Sequence, residues 1–309
     1  MTEQIRKLFR TNIELLEITD KAILCFREQK LAEALEFMPQ VSEKMRYVID
    51  GIISDKEYFE LVSTESLTEM LEGILEAGHH MDYVLLADLL ELQLSTLLCN
   101  VQELIMKKED FPAFSEEVYQ EQCEQMAVLL QKEGGKEAVE KLFSEPLNPQ
   151  QLMEEGYRVE FASCGLMTAA VGTKEGPVYL HTNYKVSREA FLLAKSWLEK
   201  GKKTYLVHGF GLGYHVAELL CQTKDAVVEV YESNGKILKL ACAFAPIAGI
   251  LANERLRLVY DPTGMVWEGR TGKLSPEEKL CIHVPSMRAD LRETYMAEEK
   301  KESKEEAGA

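Results

Sequence analysis

What this sequence has little of excludes several classes of function. Its seven cysteines (Cys25, Cys99, Cys123, Cys164, Cys221, Cys242, Cys281) never come closer than 21 residues, so there is no CxxC zinc or redox motif. An odd, scattered set of this kind fits reduced thiols in a cytoplasmic protein rather than a disulfide framework. Basic charge is in deficit, with 35 Lys and Arg against 52 Asp and Glu and a net charge of −17. A surface of that sign repels phosphate backbones and anionic headgroups, which argues against nucleic acid or a membrane surface as partner. Long apolar runs are missing too: Tyr83 to Ile105 is interrupted by Asp88, Glu91 and Glu103, as in a buried helix of a soluble protein. Residues 1–10 carry positive charge with no apolar run behind them, so no signal peptide is expected. His79 and His80 are adjacent and on a helix point about 100° apart, unable to chelate one ion together. No metal site is expected. No Ser-His-Asp spacing or carboxylate pair stands out for acid–base chemistry.

What is present divides near residue 150. Residues 1–150 hold 14 basic and 30 acidic residues, whereas 151–309 hold 21 and 22; glycine is split 5 to 14. Apolar residues recur at three-to-four spacing from Ile5 to Phe26, and helices are expected there, from Leu31 to Ile49 with Pro39 as kink or boundary, from Thr64 to Glu76, and from Met81 to Met106. These predict an acidic all-α helical bundle over 1–112, its charge lying on solvated outer faces or serving a protein partner. Pro112, Gly134-Gly135 and the run 145–149 punctuate a helical linker over 113–152.

Beyond it the period changes. Segments 157–163, 166–171 and 177–181 are short and β-leaning, predicting an antiparallel hairpin and a third strand. Helices over 188–200, 214–221 and 234–244 then alternate with strands over 204–207, 226–231, 255–260 and 280–284, the pattern of a Rossmann-like, mostly parallel sheet in an α/β domain spanning 153–296. The charged residues 297–309 are expected to be a disordered tail.

One motif carries a mechanism. Val207-His-Gly-Phe-Gly-Leu-Gly-Tyr-His215 follows an apolar strand and opens a helix, where glycines let a ligand approach exposed amides at the positive end of the helix dipole. Glu232 ends the next strand, placed to accept ribose hydroxyls. The candidate ligand-binding residues are therefore Gly209, Phe210, Gly211, Gly213, Tyr214, His215 and Glu232. Tyr214 stands where the dinucleotide fingerprint needs glycine, which disfavours NAD. The glycine spacing is similar to the S-adenosylmethionine loop of Rossmann-type methyltransferases, although Val207 replaces the acid usual before the first glycine.

The series Gly165-Leu-Met-Thr168, Tyr179-Leu-His-Thr-Asn-Tyr-Lys-Val-Ser-Arg-Glu-Ala190 and Gly209-Phe-Gly-Leu-Gly-Tyr-His215 resembles the N-terminal Rossmann-like region of the motility accessory factor (Maf) flagellin glycosyltransferases. The likeness covers about residues 155–290; Tyr184, Glu189 and Ala190 match a second family segment, with its proline missing and Thr182 in place of a frequent serine. It implies a bacterial sugar-modification setting and a CMP-type nucleotide or nucleotide-sugar as ligand, with S-adenosylmethionine second. The family's transfer chemistry is attributed to a further domain downstream, so an accessory or truncated module is expected rather than a complete transferase. A scaffold acting through protein–protein contacts is the remaining alternative. His208, the 181–184 turn, Asp261-Pro-Thr-Gly264 and Trp267 could line the same cleft or serve only packing and turns.

Overall fold

The computed structural model describes residues 2–109, 114–132, 136–144, 146–173 and 176–289. Pro112, Gly134-Gly135, Glu145 and the expected tail 297–309 lie outside them. The protein is mixed α/β and divides into two compact units, one of residues up to 112 with 161–166, the other of 113–160 and 167 onward.

In the first unit α1 (Glu3–Arg27), α2 (Leu31–Ser54), α3 (Thr64–His79), α4 (Tyr83–Asp88) and α5 (Ser95–Lys108) follow one another, with a π-helical stretch, Leu89–Leu94, joining the last two. Helix α1 buries Ile5, Leu8, Asn12, Leu15, Thr19, Ile23 and Phe26, one residue per turn on one face. Thr2, Ser63 and Asp82 cap α1, α3 and α4, each side chain accepting a backbone N–H three residues on. Helix α2 continues through Pro39. Asn12 on α1 donates to the Leu98 carbonyl at 2.8 Å and to Gln102 Oε1 at 2.7 Å on α5, and Gln102 donates back to the Phe9 carbonyl. This pins the register of two largely apolar faces. Tyr83–Lys108 is long and apolar enough to cross a membrane by length and composition, and 44% of its most apolar window is buried within the protein.

The second unit begins with α6 (Glu116–Lys132), α7 (Lys136–Ser144) and α8 (Pro149–Glu154). Gln122 of α6 donates to the carbonyls of Cys242 and Ala245 and accepts the Ile247 amide at 3.0 Å. The 113–152 stretch thus supplies a helix held onto the α/β layers by a fully used side-chain amide. Strands β1 (Tyr157–Phe161), β2 (Met167–Thr173) and β3 (Gly176–Tyr179) form a sheet in that order, with β2 and β3 antiparallel and Ala170 opposite Tyr179.

After α9 (Val186–Trp197), strand and helix alternate as β4 (Thr204–His208), α10 (Tyr214–Gln222), β5 (Val227–Glu232), α11 (Gly235–Phe244), α12 (Ala248–Leu251), β6 (Leu256–Tyr260), α13 (Met265–Thr271) and β7 (Glu278–Ile282). The second sheet is parallel, in the order β6-β5-β4-β7. Its central strands are buried on both faces, with Tyr205, Leu206, Val207, Val228 and Val230 all inside, as parallel strands between helical layers must be. The order reverses at β4, so the loops after β4 and β7 leave on either side of a switch point, where parallel sheets carry their ligand crevices.

Candidate functional site

The glycine loop emerges from the carboxyl end of β4. The Gly209 amide donates to the Tyr231 carbonyl at 2.8 Å, extending the β4–β5 ladder by one bond before the chain turns. Gly209, Gly211 and Gly213 have φ of +92°, +54° and +84°. All three glycines also meet side chains closely, Gly213 those of Ile247, Phe210 and Ile250. A Cβ on Gly209 would stand 2.3 Å from Ser286 Cβ, and one on Gly211 would stand 3.0 Å from both His181 Nε2 and His283 Cε1. Side chains of the protein itself therefore occupy the space these glycines open.

The remaining expected residues are gathered around that loop and are all interior. Phe210 is fully buried, and its amide donates to Glu232 Oε2 at 2.8 Å; the Asn234 amide donates to Glu232 Oε1 at 3.0 Å. Glu232 has no exposed surface, so its carboxylate clamps the glycine loop to the start of α11. Tyr214, at the first turn of α10, donates its hydroxyl to the Met167 carbonyl at 2.9 Å. Next to it His215 shares a 3.0 Å hydrogen bond with the Gly209 carbonyl. Because a carbonyl only accepts, Nε2 carries the proton and Nδ1 the lone pair.

His215 belongs to a group of three buried histidines. Its ring stacks on His283 at 4.1 Å between centroids, and His181 lies 5.1 Å from His283 and 5.5 Å from His215. His181 Nε2 accepts the Leu212 amide at 3.2 Å, which places its proton on Nδ1, 3.9 Å from Glu189 Oε2. His283, just beyond β7, pairs Nδ1 with the Ser286 hydroxyl at 2.8 Å, and the Leu180 backbone favours its protonated form. Burial pushes the His215 pKa down to about 4 against the pull of the Gly209 carbonyl. Burial first, then the neighbouring imidazoles, hold His181 and His283 well below the ordinary histidine value. All three are neutral at physiological pH. The Glu189 carboxyl is raised by burial, although it accepts the Thr182 amide at 2.7 Å.

Other residues singled out in the sequence fall into neighbouring places. His208 meets the Trp267 ring edge-on at 5.0 Å, and its pKa is lowered by burial. Asp261 accepts the Trp267 amide at 2.8 Å, closing the turn that starts α13. Tyr184 is half exposed. His79 and His80 lie exposed at the end of α3 with rings 5.4 Å apart.

Beside the glycine loop, at the carboxyl ends of β5 and β6, a groove of about 520 Å³ is lined by Lys141, Asn148, Ser233, Asn234, Lys236, Lys239 and Tyr260, among others. Asn234 caps α11 through its Oδ1 and donates Nδ2 to the Tyr157 hydroxyl. Lys236 pairs with Glu155 at 2.8 Å, the one carboxylate among the described residues of the lining. Three lysines against one glutamate make the groove electropositive in a protein of strongly negative net charge.

Sequence reasoning singled out the glycine loop and Glu232 but missed His283, Ser286 and this groove. His283 had no signal of its own, sitting in a short apolar strand pattern. Asn234 and Lys236 were legible only as a helix start. No protein-family model, curated protein or solved structure matches the chain.

Proposed function

We propose that the second unit is a Rossmann-like module that binds a nucleotide-type, phosphate-bearing small molecule in the groove at the carboxyl ends of β5 and β6. The observation that carries this reading is the electropositive lining of that groove, in which Lys141, Lys236 and Lys239 surround polar side chains at the amino end of α11. The parallel sheet supports it, because ligands of such sheets sit outside the carboxyl ends of the strands, here over β5 and β6 and one strand away from the β4–β7 switch point. The buried carboxylate of Glu232 contributes from beneath, by holding the 209–213 loop and Ser233-Asn234 in fixed relation.

Binding rather than group transfer is the role we assign. Glu155, the one carboxylate of the described lining, is paired with Lys236, so it is held as an ion-pair partner rather than as a general base. With the motif resemblance, this makes the chain a Maf-like accessory of bacterial glycosylation whose ligand is a CMP-type nucleotide or nucleotide-sugar. Its protein partner would meet the acidic first unit, where Leu61, Leu75, Val84 and Leu92 are exposed. S-adenosylmethionine is the second reading, favoured by the order of strand, glycines, helix and acid.

A thermal-shift and calorimetric series against CMP, CDP, UDP, a CMP-activated sugar, S-adenosylmethionine, S-adenosylhomocysteine and NAD tests the assignment. At a hundred times Kd a ligand stabilises by about 2.7 kcal/mol. The expected result is a response to the CMP series that Lys236→Glu abolishes. A response to S-adenosylmethionine alone would replace the reading with the methyl donor. No response to any of them would overturn ligand binding in favour of a protein-contact scaffold.

A further inference from the structure

We propose that His181, His215 and His283 form a binding site for a divalent transition metal of the zinc class. One nitrogen from each ring lies within 4.8 Å of the other two. The rings come from three separate places, the end of the β3 segment, the first turn of α10 and the residue after β7. The site lies under the glycine loop and is distinct from the lysine-lined groove, so it does not depend on the nucleotide reading.

The observation that separates a metal site from ordinary packing is His215 Nδ1. It carries a lone pair, it is wholly buried, and it has no hydrogen-bond partner. A buried acceptor left in that state loses its hydration without return, and an ion is a group that can use the lone pair. The outer contacts are of the type that orient ligating histidines. The Gly209 carbonyl holds Nε2 of His215, and Glu189 lies on the Nδ1 side of His181; the Ser286 hydroxyl holds Nδ1 of His283. We assign His181 Nε2 and His283 Nδ1, which face the glycine loop, and the unpartnered His215 Nδ1 as the three donors. The first two lie 3.0 and 3.4 Å from the point where a Gly211 Cβ would stand, so they border one spot. An ion there would displace the Leu212 amide from His181 and the Ser286 hydroxyl from His283.

Neutral imidazoles suit zinc, copper, nickel or cobalt and not magnesium or calcium. Zinc–nitrogen bonds of about 2.0–2.1 Å put tetrahedral donors roughly 3.4 Å apart, so the donors must close by up to about 1.4 Å, and the His215 and His283 rings, stacked 16° from parallel, must turn until both in-plane lone pairs meet at the ion. The rings are at most 2% exposed, so the ion enters during folding or when the glycine loop opens. Uptake by the folded chain should therefore be slow.

The test uses the full chain stripped with a chelator, then either refolded with Co²⁺ or Zn²⁺ or given the metal after folding. One ion per chain is expected, taken up faster during refolding, with a cobalt visible spectrum of nitrogen ligation and no thiolate charge-transfer band. His215→Phe keeps a ring on His283 and removes the donor; it should lose the ion. The double variant His79→Ala/His80→Ala should keep it. If the His215 variant does not fold, X-ray absorption of the zinc-loaded wild type decides without it, three imidazole ligands being the expected shell. No bound ion after refolding, a thiolate spectrum, an absorption shell without imidazole, or retention of the ion in folded His215→Phe would each overturn the site.

Discussion

Replacing Glu232 by glutamine tests whether this carboxylate is a clamp built into the fold. The side chain has no exposed surface and accepts two backbone amides, from Phe210 at 2.8 Å and Asn234 at 3.0 Å. Hydrogen bonds to a charged acceptor contribute about 1.5–3 kcal/mol each. Glutamine keeps the shape but offers one acceptor oxygen, so one amide loses its charge assistance while the other faces an NH₂ group and is left buried without a partner. The expected loss is about 2–4 kcal/mol. With a urea m-value near 2 kcal/mol/M that is a fall of about 1–2 M in midpoint at unchanged slope. The assay reads the correct unit by itself, because the two tryptophans of the chain, Trp197 and Trp267, both lie in the second unit. A midpoint within about 0.25 M of wild type, or about 0.5 kcal/mol, would refute the clamp. If such a stable variant had also lost nucleotide affinity, Glu232 would return to the ribose role expected from the sequence.

In the metal-free chain, acid should unfold the same unit early. The folded pKa of His215 is about 4 and those of His181 and His283 are well below the ordinary value, whereas an unfolded histidine titrates near 6.5. The unfolded chain therefore binds more protons below pH 6.5. Stability is full above that pH and declines as pH falls from 6.5 towards 4, by about 3 kcal/mol from His215 alone; urea midpoints at pH 7.5, 6 and 5 check it, and a flat series would contradict buried neutral rings. Gln122→Ala strands two carbonyls and one amide between α6 and the 242–247 segment and should cost about 2–4 kcal/mol by tryptophan-monitored unfolding; a loss under 1 kcal/mol would mean that water replaces the side chain. Gly209→Ala combines a φ of +92° with a Cβ 2.3 Å from Ser286 Cβ and should cost about 2–5 kcal/mol. Adding Ser286→Gly should recover the steric share but not the backbone strain, and a purely additive double mutant would deny the contact.

Much of the architecture was legible because it is set locally. The stripe from Ile5 to Phe26 can bury one face only as a helix, and α1 does so. The alternation of apolar strands with helical periods beyond residue 204 gives a parallel sheet in the structure, and the glycines after Val207 adopt the positive φ that their spacing implied. Local rules also left some features open. Of the two roles open to Pro39, boundary is excluded because α2 runs through it, and the 83–108 stretch contains a π-helical segment that periodicity does not announce. Helix α6, read as part of a connection, gains its place from Gln122, a residue with no pattern of its own.

The sequence by itself determined most of the longer helices and strands, where the glycine turn falls, and that Glu232 closes the following strand. These depend on contacts between residues a few positions apart and on the burial of one face at a time. Only the tertiary structure decided what those residues touch. The order β6-β5-β4-β7 sets the end of β7 beside the end of β4, which brings Ser286 against Gly209 and stacks His283 on His215 across 68 residues of chain. Strand order follows from how whole helices and strands bury their apolar faces together, and no spacing between single residues carries that information. The same packing turned Glu232 inward and opened the lysine-lined groove beside it.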